Sequence, residues 1–257
     1  MKGSYETVEV KLEDGVGELT LNRPEQLNSL NQQLRQDLKQ AFSELETADI
    51  RVLTIRGSGK AFSAGADIEE FKKMAPHRFR EEMSGFFQLP EKFPQPTVAA
   101  IDGYALGGGL ELALSCDLRI ATERSLLGQP EINLGLIPGG GGTQRLPRII
   151  GLTRAKDLIM TGRKIDGKTA EDWGLINEVT PKEEFNERVE EFVEQLKSGP
   201  PIALREAKHV INRGVELPLE DALDVEKRSF SLLLTTEDAR EGIDAFQENR
   251  EPDFKGS

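Results

Sequence analysis

"AAIDGYALGGGLELALSCDLRIA", residues 99–121, decides the fold class of this chain. It opens with a short apolar run that stops at Asp102-Gly103 and closes with a second one, "DLRIA". Between them stand Gly107, Gly108 and Gly109, followed by the helix-like series Leu110, Leu112, Ala113 and Leu114. Apolar strand, small-residue turn, helix and apolar strand in succession describe a largely covered parallel sheet in an α/β protein. One acid, Glu111, falls in the first turn of that helix, among aliphatic side chains.

A similar strand–turn–helix unit lies upstream, so the two units span 52–74 and 97–116. "RVLTIRG" is the first strand, and its turn is Ser63-Ala64-Gly65-Ala66, before Asp67 and Ile68. At the N-terminal side, "ETVEVKLEDGVGELTLNRP" reads as two strands around an Asp14-Gly15 turn, the second ended by Pro24. Leu34, Leu38, Phe42 and Leu45 recur at helical spacing and predict an amphipathic helix over 31–47. The charged stretch "FKKMAPHRFREEMSGFFQLPEKF" reads as helix, and the segment 69–95 is expected to act as a mobile lid. From residue 152 the pattern turns mostly helical, with one stripe at Phe185, Val189, Phe192 and Leu196. The prolines of "SGPP" interrupt it. A boundary is therefore expected near 197, with a core over 1–197 and a helical region over 198–257 for oligomer packing.

The 257 residues suffice for one large core, and 37% hydrophobic with 30% charged residues is the balance of a soluble globular protein. A net charge of −12 disfavours nucleic acid and anionic membranes, both of which need a basic surface. No apolar run approaches the roughly 18 residues of a membrane span. The N-terminus lacks the apolar core of a signal peptide. The single cysteine, Cys116, rules out a disulfide framework and fits a reducing compartment, so a cytoplasmic protein is expected. His77 and His209 have no second ligand at metal spacing, and no metal is expected.

The glycine turns point to chemistry. The first N–H groups of a helix have no internal partner, and small residues let a ligand atom approach them. Two such turns at neighbouring strand ends present two donors to one oxygen, as in an oxyanion hole. A phosphate loop would need a lysine that neither Gly109 nor "GLIPGGGGTQRL" at 135–146 is followed by. Glu131 follows Glu111 by twenty residues, also in apolar surroundings. Desolvation raises a carboxyl pKa toward the range useful for proton transfer at neutral pH. Two such acids beside an oxyanion hole suit proton movement at carbons next to a carbonyl. Taken singly, Glu111 also reads as a helix cap and Glu131 as an ion-pair partner.

Three segments carry a family likeness: "KAFSAGADI" at 60–68, "AAIDGYALGGGLELALSCDLRIA" at 99–121 and "GQPEINLGLIPGGGGTQRL" at 128–146. The sequence resembles the crotonase, or enoyl-CoA hydratase/isomerase, superfamily, and the C-terminal stretch from Arg228 extends the likeness over nearly the whole chain. The resemblance implies an α/β crotonase-like superhelix of ββα units with a C-terminal helical region, assembled as a homotrimer or as a homohexamer made of two trimers. It implies an acyl-CoA thioester substrate and no separate cofactor, coenzyme A being part of the substrate. By position, Ala66 and Gly108 match the donors to the thioester oxygen. Glu111 and Glu131 match the two catalytic glutamates of hydratases, which favours reversible hydration of trans-2-enoyl-CoA. The alternative is a double-bond isomerase or another lyase of the family. Gly139 resembles the start of a helix whose dipole points at the reacting centre. Ala64, Gly65, Asp67 and Ile68 resemble substrate-channel residues, and Phe230 and Phe246 resemble aromatics on the acyl and CoA path. Glu69 and Asn249 depart from the family's phosphate-binding lysines, leaving Arg23, Lys60 and Lys255 as candidate cations.

Overall fold

The computed structural model describes every residue except 1–4 and Met74, Pro76, Arg78, Phe79, Glu81, Glu82 and Ser84. Those seven positions of the lid expected within 69–95 thus lie outside the described residues. Two sheets build the body. The larger has the order β1 (Val8–Glu13), β2 (Val16–Leu21), β3 (Val52–Gly57), β5 (Thr97–Ile101), β7 (Leu118–Thr122), β10 (Glu178–Thr180). The smaller runs β4 (Ala61–Ser63), β6 (Tyr104–Leu106), β8 (Leu126–Gly128), β9 (Lys164–Asp166). All pairings are parallel except β1–β2 and β8–β9. The β1–β2 hairpin turns at Asp14 and Gly15, both at positive φ, as Asp-Gly turns require. Thereafter the chain alternates between the sheets, β3 to β4, β5 to β6 and β7 to β8, which winds it into a superhelix.

Strand periodicity sorts the large sheet into two faces. Leu53, Ile55, Ala99, Ile101 and Ala121 enter the main core, beside α1 (Gln32–Leu45). Val52, Val98, Ala100 and Ile120 point the other way, onto Phe185, Val189 and Val193 of a later helix, Phe185–Lys197. That helix therefore buries Val193, with Phe192 and Leu196 at its half-buried edges. Helix α1 begins where the side chain of Asn31 accepts the N–H of Leu34 at 2.9 Å.

The remaining helices follow in chain order: α2 (Ile68–Phe71), α3 (Leu89–Lys92), α4 (Gly108–Leu114), α5 (Gly142–Thr161), α6 (Gly167–Asp172), α7 (Phe185–Lys197), α8 (Pro201–Gly214), α9 (Leu219–Leu233) and α10 (Glu237–Glu248). Helix α5 is broken at Gly151, whose φ of 78° lies outside helical space. The mostly helical stretch after 152 contains two strands, β9 and β10. At three residues each they are too short to show a period of two.

The C-terminal helices are tied to the body by polar links. Lys208 of α8 donates to Pro90 O at 2.8 Å and Gln95 O at 3.1 Å and pairs with Asp117 at 2.8 Å. Arg51 holds the carbonyls of Lys197 and Phe254 at 3.1 and 2.8 Å. Helices α8 and α9 bury no residue fully. No helix among the described residues is long and apolar enough to cross a membrane.

Candidate active site

Turn 63–66 and the start of α4 meet because glycine lets backbones touch. A β-carbon at Gly109 would sit 2.2 Å from Ser63 O, and one at Gly65 would sit 2.7 Å from Leu106 O and 3.3 Å from Gly108 N. Gly65 and Gly107 also hold φ of 99° and 51°, which side chains resist. The β-carbon position of Gly108 lies 3.6 Å from Ala66 N, so the N–H groups of Ala66 and Gly108 are neighbours. Among the described residues, neither donates to a backbone acceptor.

A brace from the β2–α1 connection holds the first turn. Leu30 N donates to Gly65 O at 2.8 Å and Ala64 N to Leu27 O at 2.9 Å. Buried Asn28 donates to Ser58 O and Ala61 O at 2.9 and 2.7 Å, while Ser63 Oγ donates to Asn28 O at 2.8 Å.

Glu111 is 3% exposed. Its Oε1 accepts two N–H groups from the glycine turn before α5, Gly140 at 2.7 Å and Gly142 at 2.8 Å. Burial pushes its pKa up; those N–H groups and the charge of Arg145 pull it back. Glu131 comes from a short 3₁₀ segment, Pro130–Leu134. Its Oε1 lies 3.0 Å from where a β-carbon on Gly107 would be. Burial first, and then the charge of Glu111, push Glu131 up to about 7. The two acids thus share a site with opposite leanings: Glu111 has N–H partners for a negative charge, whereas Glu131 is poised to hold a proton. Such a pair can take a proton from one atom and give one to another, beside donors able to hold an oxyanion.

The structure brings Ala66, Gly108, Glu111 and Glu131 together, with Ala64 and Gly65 on the same turn. Asp67 caps the turn's far side, 3.5 Å from Arg23 and 3.4 Å from Ser29 Oγ. Ile68 starts α2 and is 45% exposed. Gly139 is a correction. Helix α5 starts at Gly142, with Gly141 as N-cap at a φ of 116°, and the N–H groups on Glu111 are those of Gly140 and Gly142. A run of four glycines carries no capping side chain, so nothing in it marks the first helical residue. Phe230 and Phe246 are 62% and 85% exposed on α9 and α10. Of the candidate cations, Arg23 is committed to Ser29 O and Asp67, and Lys255 to Asp253. Glu69 pairs with Lys72, and Asn249 is the left-handed C-cap of α10.

Three site neighbours escaped the sequence reading. With its amide nitrogen toward Glu131, buried Gln129 donates to both carboxylate oxygens at 2.9 and 3.1 Å. Phe87 closes over the glycine turn, its ring 2.4 Å from the β-carbon position of Gly140. Arg145 donates to Gly140 O at 3.1 Å and pairs with Glu91. The only prior signal was proximity of Gln129 to Glu131 in sequence; Phe87 and Arg145 arrive through tertiary packing. A cleft of about 1020 Å³ lies on the other side of Phe87 and Gly140, reaching Cys116, Lys208 and Ile211; neither glutamate lines it.

With this geometry in view, the comparisons are direct. The sequence profile of the enoyl-CoA hydratase/isomerase family matches residues 11–257. An enoyl-CoA isomerase/hydratase of Mycosarcoma maydis is 44% identical over 255 residues, 94% of this chain and 93% of that protein. The crystal structure of an enoyl-CoA hydratase from Bacillus anthracis superposes with a TM-score of 0.93 at 41% identity, covering 98% of this chain and 100% of that one. One from Thermoplasma volcanium gives 0.87 at 37% identity, over 95% and 97%. The fold is the crotonase fold. The chain belongs to the enoyl-CoA hydratase/isomerase family.

Proposed function

We propose that this protein reversibly hydrates trans-2-enoyl-CoA thioesters to 3-hydroxyacyl-CoA. The observation that carries the reading is the unequal pair of carboxylates, buried Glu111 with two N–H partners and half-buried Glu131 raised to about 7, beside the N–H groups of Ala66 and Gly108. In this reading the thioester oxygen rests on Ala66 N–H and Gly108 N–H, which polarise the conjugated carbonyl. Water lies between the acids. Glu111, charged, takes a proton from it as the oxygen bonds to C3. Electrons move onto the thioester oxygen, and the enolate is held by the two N–H groups. Protonated Glu131 then delivers its proton to C2. The elements of water are added across the double bond, and the pair returns to its starting state by passing one proton from Glu111 to Glu131.

Ala64, Gly65, Asp67 and Ile68 flank the channel in this reading, and no separate cofactor takes part. We also assign the region 198–257 to oligomer packing, as a homotrimer or a dimer of trimers. Supporting this, Ile211, Val215, Leu219, Phe230 and Leu232 are all more than half exposed. In such an assembly Phe230 and Phe246 reach an acyl-CoA only across a subunit boundary.

The test is loss of ultraviolet absorbance from crotonyl-CoA in the conjugated thioester band. Wild type is expected to consume it, and Glu111→Gln and Glu131→Gln to lose at least about 10²-fold in kcat each. A wild type that binds crotonyl-CoA without consuming it, yet moves the double bond of a 3-enoyl-CoA, would replace hydration by isomerisation. Isomerisation needs one acid only, so it would survive in one of the two variants.

A further inference from the structure

We propose that Arg145 and Glu91 are positioning residues for Glu111, setting the glycine turn that holds its carboxylate and the charge it feels. The inference rests on the reading of Glu111 as the base. Two hydrogen bonds from Arg145 converge on the turn. Arg145 donates from its guanidinium to Gly140 O at 3.1 Å and from its backbone to Gly141 O at 2.7 Å. A β-carbon on Gly141 would fall 2.2 Å from the same guanidinium, so the turn is moulded to the arginine. Arg145 thereby grips the carbonyl of the same residue, Gly140, whose N–H donates to Glu111 Oε1 at 2.7 Å.

Glu91 grips the arginine in turn. It sits on α3, four residues after Phe87, whose ring presses the turn beside Glu111 Oε2. One short segment, 86–92, thus bears on the turn at two points, by a ring and by an ion pair. The pair is half-shielded, with side chains 19% and 42% exposed, so its charges are felt more than those of an open surface pair.

Among the described residues, charges from two elements act on Glu111, and a third element adds one through Arg145. Glu131, on the 3₁₀ segment, opposes ionisation of the pair. Arg145, on α5, favours a charged Glu111. Glu91, on α3, offsets Arg145, and its own charge also reaches Lys208 of α8. Helix α4 adds no second charge of its own over Gly108–Leu114. This arrangement has a signature that simple structural support lacks: removing the two charges moves Glu111 in opposite directions.

The experiment is a carboxyl ¹³C NMR titration of Glu111, with protein labelled at glutamate side chains and assigned with Glu111→Gln. It is run on wild type, Arg145→Gln, Arg145→Lys and Glu91→Gln, beside pH profiles of kcat/KM for crotonyl-CoA. Arg145→Gln is expected to move the Glu111 titration and the acid limb of the profile upward, on the order of one pH unit. Glu91→Gln, which keeps a hydrogen-bond acceptor for Arg145, moves both downward. Arg145→Lys keeps the titration near wild type but loses kcat, with KM little changed, because a point charge cannot grip Gly140 O and Glu91 together. Titrations unmoved in both charge-removing variants, or moved in the same direction, overturn the proposal. Opposite shifts uphold it even if the wild type leaves crotonyl-CoA unhydrated, an outcome that counts against the hydratase reading alone. Glu91→Gln leaves the fold least disturbed and carries the test if Arg145→Gln does not fold.

Discussion

The backbone N–H of Gly140 donates to Oε1 of Glu111 at 2.7 Å, and a β-carbon on Gly140 would lie 2.7 Å from Oε2 of the same carboxylate. The donor is usable because the residue has no side chain. Gly140→Ala would also drive its methyl into the Phe87 ring, 2.4 Å away. Overpacking of this kind costs about 1–3 kcal/mol. We expect a lower melting temperature and a kcat reduced by about 10²-fold, the scale of a 1 Å misplacement of a reacting group. A variant with wild-type melting and turnover would show that the turn can retreat without harm.

Glu131 links turnover and stability to pH. Its folded pKa of about 7 stands above the ordinary 4.5, so the native state holds a proton that the unfolded chain releases. Its stabilising contribution is full below about 4.5 and is lost as pH rises through 7. Glu131→Gln removes this dependence. At pH 8 the variant is expected to be more stable than wild type, by on the order of 1 kcal/mol after screening, and at pH 4 nearly equal. Hydration by wild type should fall above pH 7. Urea titrations at the two pH values check the first expectation and a rate profile the second.

Lys208 is a strut between α8 and the body. Its pKa is lowered, chiefly by burial, with the charge of Asp117 opposing. Lys208→Met leaves Asp117 to Thr97, removes the Lys208 donor from Gln95 O and leaves Pro90 O the long 3.5 Å contact from Thr97 Oγ1. Breaking one side of a buried pair costs about 3 kcal/mol. The urea midpoint should drop at unchanged slope. An unchanged midpoint would mean that water replaces the ammonium freely.

The apolar face of α9 predicts assembly. Leu219, Leu223 and Phe230 share one side of this helix at helical spacing and are 74%, 41% and 62% exposed. Contiguous apolar surface of this kind marks an interface. Leu223→Glu should shift the mass measured by light scattering toward the monomer, with helix content retained. A wild type that is monomeric at micromolar concentration would sink the oligomer assignment.

Local chemistry was readable in the sequence wherever it was written in neighbouring residues. Asp14-Gly15 announced its hairpin, and Gly107 to Gly109 announced a turn that only glycine fits. Glu111 and Glu131 stood out as acids in aliphatic company. What escaped was set by distance along the chain. Asn28 reaches the site turn through a bond to Ala61 O, 33 residues away, and Arg145 meets Glu91 54 residues away. No local pattern encodes either. Gly139 failed as a helix start because adjacent glycines are alike until packing against Glu111 chooses among them. Phe230 and Phe246 were placed by resemblance alone, and no local pattern in the sequence says what surrounds these exposed rings.

The two N–H donors of Glu111 lie 29 and 31 residues beyond it. That spacing governs the order of events during synthesis, when N-terminal segments emerge first. As Leu110, Leu112 and Leu114 collapse onto the sheets, the carboxylate goes in with them, and without Gly140 and Gly142 it would be stranded in apolar surroundings at a cost of 1 kcal/mol or more, on the order set for an unpaired buried group. Closing the core is thus favoured by about that amount once the glycine turn arrives, which couples maturation of the nascent chain to completion of the reactive centre.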